Sequence, residues 1–188
     1  RPEYMAVVFD APGGSFRNEI YPAYKANREP APPELKRQFG MCRRLVEALG
    51  LAAYSSDRYE ADDLIGTLAG CLRPAGFTIE ILSADKDLAQ LVGDSDVLWD
   101  YARNRRHASD DIPQLLGVHP AQVADWLALT GDAVDNIPGV PGIGAKTAAA
   151  LLGTFGSLDG LYADLDAVAG SGLRGAAHIS RLLGEHEE

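Results

Sequence analysis

The sequence is poor in sulfur and has no long apolar run. Its two cysteines, Cys42 and Cys71, are too few for a disulfide scaffold. Both fall on helical patterns, where they are expected to be small buried thiols in a reducing cytoplasm. Four histidines are scattered without zinc-ligand spacing. No stretch approaches the roughly 20 apolar residues that span a bilayer, and no secretory pattern opens the chain. Positive charge is also short: 17 Lys and Arg face 27 Asp and Glu, a net charge of −10. That balance argues at first against a nucleic-acid partner. The first residue is Arg1, and a further segment upstream is expected.

What is present is a set of carboxylates at places where a strand or loop gives way to something else. Asp10 ends the apolar run Met5-Ala6-Val7-Val8-Phe9. Glu60, Asp62 and Asp63 open a helical pattern. Asp85 and Asp87 follow the apolar run from Phe77 to Leu82. Asp132 and Asp135 lie in Thr130-Gly131-Asp132-Ala133-Val134-Asp135-Asn136-Ile137-Pro138-Gly139. An aspartate at a helix start is usually a cap, and each group taken alone reads that way. Four such places in one small domain read differently. In an open parallel α/β sheet the strand ends converge on one edge, where gathered carboxylates repel unless hard cations with oxygen ligands sit among them. Two divalent ions there would offset part of the negative balance. Basic residues group elsewhere: Arg17, Lys25, Arg28, Lys36, Arg37, Arg43 and Arg44, then Arg103, Arg105 and Arg106.

Patterning predicts alternating elements. Tyr4 to Phe9 reads as a buried strand and Ala11 to Pro33 as a long loop or lid. Pro33 opens a helix to about Leu49, stopped by Gly50. A short strand near Ala52 to Ser55 precedes a helix from Glu60 to Leu72, with Ala61, Leu64, Ile65, Leu68 and Leu72 on one stripe. Thr78 to Ser83 reads as a strand, Lys86 to Leu91 as a short helix and Val97 to Tyr101 as another strand. This alternation indicates a parallel sheet flanked by helices, residues 1–109. From Asp110 strands disappear. Pro120 to Leu129, Ala145 to Leu152, Ser157 to Tyr162 and Arg174 to Gly184 read as helices of a module covering residues 110–188.

Two more segments carry chemistry. In Gly139-Val140-Pro141-Gly142-Ile143-Gly144-Ala145-Lys146-Thr147 the glycines let backbone approach a phosphate, and the following helix start points its amides outward. Lys146 adds charge and Thr147 a hydroxyl. The spacing is not that of a Walker A loop; a helix–hairpin–helix on the DNA backbone fits better, and an ordinary helical corner is the plainer alternative. In Tyr21-Pro22-Ala23-Tyr24-Lys25-Ala26-Asn27-Arg28, a lid with Lys, Arg and stacking aromatics can hold a scissile phosphate and an unpaired base. A solvated loop with a buried tyrosine is the alternative.

Together these segments resemble the 5′-nuclease family: the 5′→3′ exonuclease domain of bacterial DNA polymerase I, the bacteriophage 5′-nucleases and the flap endonucleases. The motifs are Val-Val-Phe-Asp10-Ala, Tyr24-Lys25-Ala-Asn27-Arg28, Tyr59-Glu60-Ala-Asp62-Asp63, Ser83-Ala-Asp85-Lys-Asp87-Leu, Gly131-Asp132-Ala-Val-Asp135-Asn136-Ile-Pro-Gly139 and Gly-Ile-Gly144-Ala-Lys146-Thr147, and they cover nearly the whole chain. The resemblance implies a PIN-like α/β core with a helical module. It implies that Asp10, Glu60, Asp62, Asp63 and Asp85 serve one divalent ion, and that Asp87, Asp132 and Asp135, helped by Asp85, serve a second. Mg²⁺ or Mn²⁺ is the expected cofactor. Lys25 is implied as the active-site lysine and Arg28 as a phosphate clamp, with Asp10 and Asp85 central to catalysis. Tyr24, Lys25, Arg28, Gly142, Gly144, Lys146 and Thr147 are implied DNA contacts, and a K⁺ ion on hairpin carbonyls is a further family feature. Ala133-Val134 replaces a more polar pair found in relatives, with the aspartate spacing kept. The family also begins with an earlier strand bearing another metal-site aspartate, so this sequence is expected to be part of a longer chain.

The implied activity is metal-dependent hydrolysis of DNA at 5′ flaps or 5′ ends beside duplex, by a monomer without membrane contact, in replication and repair. Two rivals remain. One is a catalytically inactive DNA-junction-binding module, should the earlier strand be absent from the gene. The other is a toxin-like ribonuclease of a related small α/β type, which leaves the lid and the hairpin unexplained.

Overall fold

The computed structural model describes residues 2–186. They fall into two compact units, one running to residue 77 and the other starting at residue 78.

In the first unit, strand β1 (Ala6–Val8) pairs in parallel with β2 (Ala52–Tyr54), Ala6 opposite Ala52 and Val8 opposite Tyr54. The bond from Phe9 N to Tyr54 O at 2.9 Å carries the pairing to the residue before Asp10. The segment expected to be a loop holds a five-residue helix, α1 (Phe16–Ile20). Ser15 and Asn18 close a reciprocal capping box at its start, with Ser15 N on Asn18 Oδ1 at 2.9 Å. Helix α2 (Pro33–Ala48) begins with Pro at its first position, where a missing N–H costs nothing. Helix α3 (Ala61–Leu72) is capped by Glu60, whose backbone N–H donates to Asp63 Oδ2 at 2.9 Å. Among the described residues, Tyr24 and Ala69 are the buried apolar side chains of this unit.

Both cysteines are exposed, which corrects the expectation of buried thiols. Cys42 lies on α2 between the exposed Phe39 and Leu45, and Cys71 in the last turn of α3. Helical periodicity shows which residues share a face, but burial depends on what packs over that face.

In the second unit, β3 (Glu80–Leu82) runs parallel to β4 (Val97–Asp100). A strand missing from the sequence reading, β5 (Arg105–Ala108), pairs antiparallel to β4. Their turn closes with Asn104 N on Tyr101 O at 3.1 Å, Asn104 having φ 49. The buried Asp96 accepts from Ile79 N at 2.8 Å and Gly93 N at 3.0 Å. It fixes the entry to β4. Between the strands, Lys86–Leu91 is a 3-10 helix capped by Asp85.

Six helices follow: α4 (Ile112–Leu116), α5 (Val123–Thr130), α6 (Ala145–Phe155), α7 (Leu158–Ala163), α8 (Leu165–Ala169) and α9 (Ala176–Glu185). Leu129, Leu151, Leu152, Leu161, Val168 and Leu183 are almost wholly buried and form the core of this unit. Polar side chains tie helix ends together. Gln122 Nε2 donates to Leu152 O and Gly156 O, at 3.0 and 2.8 Å. Leu152 O also accepts the Gly156 N–H at 2.9 Å, so Gln122 reinforces the C-terminal cap of α6. Among the described residues no helix is long and apolar enough to cross a membrane.

Candidate metal and phosphate sites

Each unit carries one half of the predicted carboxylate set. In the first unit, Asp10 leaves β1 and its Oδ1 accepts from Ala61 N, the first residue of α3, at 2.7 Å. Glu60 is crowded by donors. Its Oε2 accepts from Lys25 Nζ at 2.8 Å and from Tyr24 Oη at 2.9 Å, with Arg17 Nη1 at 3.9 Å. Burial pushes the Glu60 carboxyl up, but Lys25 and Tyr24 together outweigh it and hold the group below the usual carboxylate range. Arg17 forks onto Asp63, Nη1 to Oδ2 at 2.7 Å and Nη2 to Oδ1 at 2.8 Å. This bond holds Asp63 low and raises the Arg17 guanidinium further. Asp62 stands exposed in the same helical turn.

A cleft of about 140 Å³ is lined by Asp10, Glu60, Lys25, Arg28, Ser56 and Tyr59, with Gly13 and Gly14 on its rim. The structure thus brings together Asp10, Glu60, Lys25 and Arg28, which are far apart in sequence. Lys25 sits in a tight turn with φ 55, a left-handed conformation unusual for a residue with a side chain. One aromatic expected to stack on a base is placed otherwise. Tyr24 is only 7% exposed, and its hydroxyl serves Glu60. Its ring is therefore part of the lid's interior rather than a stacking platform. Arg17 was visible in the sequence only as one basic residue among many. Its partner lies 46 positions away, beyond any local pattern.

In the second unit, Asp85 caps the 3-10 helix, its Oδ1 accepting from Asp87 N at 2.9 Å. Asp132 and Asp135 sit on a closed loop after α5. Asp132 and Ile137 exchange both backbone bonds at 2.8 Å, and Asp132 Oδ1 accepts from Val134 N at 2.7 Å. Two glycines make the closure possible. A Cβ on Gly139, at φ 62, would lie 2.3 Å from Gly131 N, and one on Gly131, at φ 74, would lie 2.6 Å from Ile137 O. Asp87 is the pivotal residue here. Burial, then the negative charges of Asp85, Asp132 and Asp135, push its carboxyl up to about 6, with only Lys86 opposing. Its Oδ1 is buried with no hydrogen-bond partner. Lys86 leans over the Trp126 ring, 5.5 Å from its centroid.

The two halves differ in charge compensation. Arg17 and Lys25 neutralise Glu60 and Asp63, whereas Asp87 feels the opposing charge of Lys86 and the repulsion of Asp85, Asp132 and Asp135. Among the described residues no three Asp, Glu, His or Cys side chains form a ready-made ion cage. The carboxylates of the first unit are turned toward their own hydrogen-bond donors instead.

Residues 139–147 present a third feature. Val140 and Ile143 are buried, while Gly142, Gly144 and Lys146 are exposed and Thr147 partly so. Gly144 is the N-cap of α6 with no side-chain cap bond, so the first amides of α6 face outward.

Comparison with known proteins bears on the family and the fold. Residues 118–187 match a family described as 5′-3′ exonuclease, C-terminal SAM fold. The chain is 45% identical over 185 residues to DNA polymerase I of Pseudomonas aeruginosa, covering 98% of this chain and 20% of that protein. It is 44% identical over 182 residues to the thermostable DNA polymerase I of Thermus filiformis, covering 95% and 22%. It thus spans about a fifth of these curated relatives. Among solved structures, the bacteriophage T5 5′-exonuclease with bound zinc aligns with TM-score 0.80 at 23% identity, over 97% of this chain and 70% of that one. A T5 flap endonuclease complex with DNA and metal ions aligns with TM-score 0.71 at 21% identity, over 99% and 85%. Residues 1–117, the segment with the cleft, the lid and the first six predicted carboxylates, match the N-terminal resolvase-like domain of the 5′-3′ exonucleases, and the chain belongs to that family.

Proposed function

We propose that this chain is the nuclease part of a metal-dependent, structure-specific 5′-nuclease acting on DNA with 5′ flaps or 5′ ends beside duplex. The observation that carries the reading is the buried, unpartnered Oδ1 of Asp87 among Asp85, Asp132 and Asp135. One carboxyl with a raised pKa and an orphaned oxygen, set among three further carboxylates, suits a hard cation with oxygen ligands. Asp85, Asp87, Asp132 and Asp135 would hold one such ion, and Asp10, Glu60 and Asp62 would hold another, Mg²⁺ or Mn²⁺ in each case. Divalent ions supply polarisation of the phosphate and a lowered pKa for an attacking water. Supporting the metal reading, the T5 5′-exonuclease relative was solved with divalent ions.

The remaining work falls to side chains. Lys25 neutralises charge that develops on the phosphate, and Arg28 orients the phosphate from the same cleft. Water adds to phosphorus, the bond from phosphorus to the 3′ oxygen breaks, and that oxygen takes up a proton, leaving a 5′-phosphate and a 3′-hydroxyl. Gly142, Gly144, Lys146 and Thr147 act as a helix–hairpin–helix on the duplex backbone, with K⁺ on its carbonyls as the monovalent partner. These contacts carry no base readout, so selectivity comes from the junction. In this reading the nuclease core is residues 1–109 and the DNA-gripping module residues 110–188, working as a monomer in the cytoplasm.

The test is cleavage of a 5′-flapped duplex with Mg²⁺, with Mn²⁺ and with chelator. Activity in either ion, lost in chelator and in Asp85→Ala, is expected. Full activity in chelator would refute metal dependence. Binding of the junction without cleavage in any metal would establish the inactive-module reading instead. Lys25→Ala is expected to slow single-turnover cleavage with little loss of binding. Lys146→Ala should weaken binding evenly across sequences and flatten its salt dependence.

A further inference from the structure

We infer that Asp63 acts through Arg17 as a positioning residue that pins the lid to the first turn of α3, and that it does not ligate an ion. The inference rests on the nuclease reading for its catalytic consequence, but not for its geometry.

Both oxygens of Asp63 are committed. Oδ2 accepts from Arg17 Nη1 at 2.7 Å and from Glu60 N at 2.9 Å, and Oδ1 accepts from Arg17 Nη2 at 2.8 Å. A bidentate guanidinium–carboxylate fork is among the strongest polar contacts a protein makes. Three of the four lone-pair sites of Asp63 are filled, so an ion at Oδ1 would have to share that oxygen with the guanidinium or break the fork. Glu60 differs. Its hydrogen-bonded cation is Lys25, a single point charge on a flexible stem, with Arg17 farther off at 3.9 Å; exchanging Lys25 for another cation leaves the planar fork on Asp63 intact. Asp10 holds only a backbone amide with its Oδ1.

From Asp63 a continuous chain of bonds leads to the catalytic lysine. Arg17 lies on α1, whose start is locked by the Ser15–Asn18 box. Asn18 Nδ2 then donates to Tyr24 O at 2.9 Å, one residue before Lys25. Phe16 is held from the same end, its N–H on Arg58 O at 3.0 Å and its ring 5.6 Å from Tyr59. The α1 segment is thus a strut between α3 and the turn that carries Lys25 and Arg28. Its ionic attachment to α3 is the partly buried fork Arg17–Asp63, and an exposed pair, Glu19–Arg58 at 3.6 Å, ties it to the loop before α3. Without that fork, Lys25 would still have its charge but not its place.

Three measurements test this. Mn²⁺ binding without DNA, followed by paramagnetic resonance of the free ion, should change by less than about twofold in Asp63→Asn; a loss of tenfold or more would make Asp63 a ligand and overturn the inference. Single-turnover cleavage at saturating substrate should fall about tenfold in Arg17→Met and in Asp63→Asn, with the double variant no worse than either single, the signature of one unit. In a Lys25→Ala background Arg17→Met should add nothing; an additive loss would show that Arg17 does not act through Lys25. If Asp63→Asn folds poorly, Arg17→Met carries the same cleavage test, and its Mn²⁺ affinity should stay near that of the parent. Failure of the nuclease reading looks different, because the parent itself would not cleave. Tryptic cutting at Lys25 and Arg28 then decides: faster cutting in Asp63→Asn upholds the strut, and unchanged cutting refutes it.

Discussion

Replacing Asp87 by Asn should make the metal-free protein more stable while weakening its response to divalent ions. The ordinary carboxylate value of 3.8 is raised to about 6 at this position, chiefly by burial and then by Asp85, Asp132 and Asp135. At about 1.4 kcal/mol per pH unit, a fully desolvated group so shifted would cost about 3 kcal/mol. Asp87 is only half-buried, so solvent screening reduces this to about 1–2 kcal/mol. The sign follows from linkage. Well below pH 3.8 the group is protonated in both folded and unfolded chains and costs nothing; between 3.8 and about 6 the unfolded chain ionises while the folded one resists, and the cost grows. As pH rises through about 6 the folded protein must carry an unfavourable charge, and above that the full cost applies. At pH 8 in chelator, Asp87→Asn should therefore melt about 2–8 °C higher than the parent, and the gap should narrow toward pH 4.5. Saturating Mn²⁺ should raise the melting point of the parent by more than that of the variant, since the ion relieves a repulsion the variant lacks. Melting curves on a grid of pH and Mn²⁺ provide the assay. A variant less stable than the parent in chelator at pH 8, or a gap independent of pH, would refute the reasoning.

Other outcomes follow from single contacts. Gly139→Ala should destabilise the second unit by about 3 kcal/mol or more in urea titration, combining strain at φ 62 with a Cβ 2.3 Å from Gly131 N. Leu161→Ala, at a side chain with no exposed surface, should cost about 2–5 kcal/mol by the same assay. Both Cys42 and Cys71 should react with a thiol reagent in the native protein without denaturant, because both are exposed. Gln122→Ala should cost about 1–2 kcal/mol, since two helix-end carbonyls lose one donor.

Much of the fold was legible because local signals agreed with tertiary packing. Pro33 opened α2 and Gly50 followed its end, and the Glu60–Asp63 spacing marked the start of α3. What escaped was set by distant partners or by very short elements. β5 consists of Arg105, Arg106, His107 and Ala108, which carry no strand pattern of their own; their pairing with β4 makes them a strand. Helix α1 hides in a segment rich in loop residues, since its cap is completed by Asn18 instead of the usual Glu or Gln. Of the site, the carboxylates and Lys25 could be picked out from residue types at turning points. The fork of Arg17 on Asp63 could not, nor could the burial of Tyr24, because both depend on residues dozens of positions apart meeting in space.

The loop from Thr130 to Gly139 has a consequence for how ion affinity responds to temperature. Its backbone is crossed by paired bonds between Asp132 and Ile137 and pressed together at Gly131 and Gly139. The conformational entropy of this segment is therefore lost when the chain folds, not when an ion arrives. In the first unit, on the proposed reading, an ion drawn to Glu60 Oε2 would exchange for Lys25 and loosen that long side chain. Ion capture in the second unit should carry a small ordering entropy, while capture in the first should release side-chain motion. On warming, the balance of occupancy between the two should shift toward the first unit, and calorimetric titration over a range of temperatures would show it.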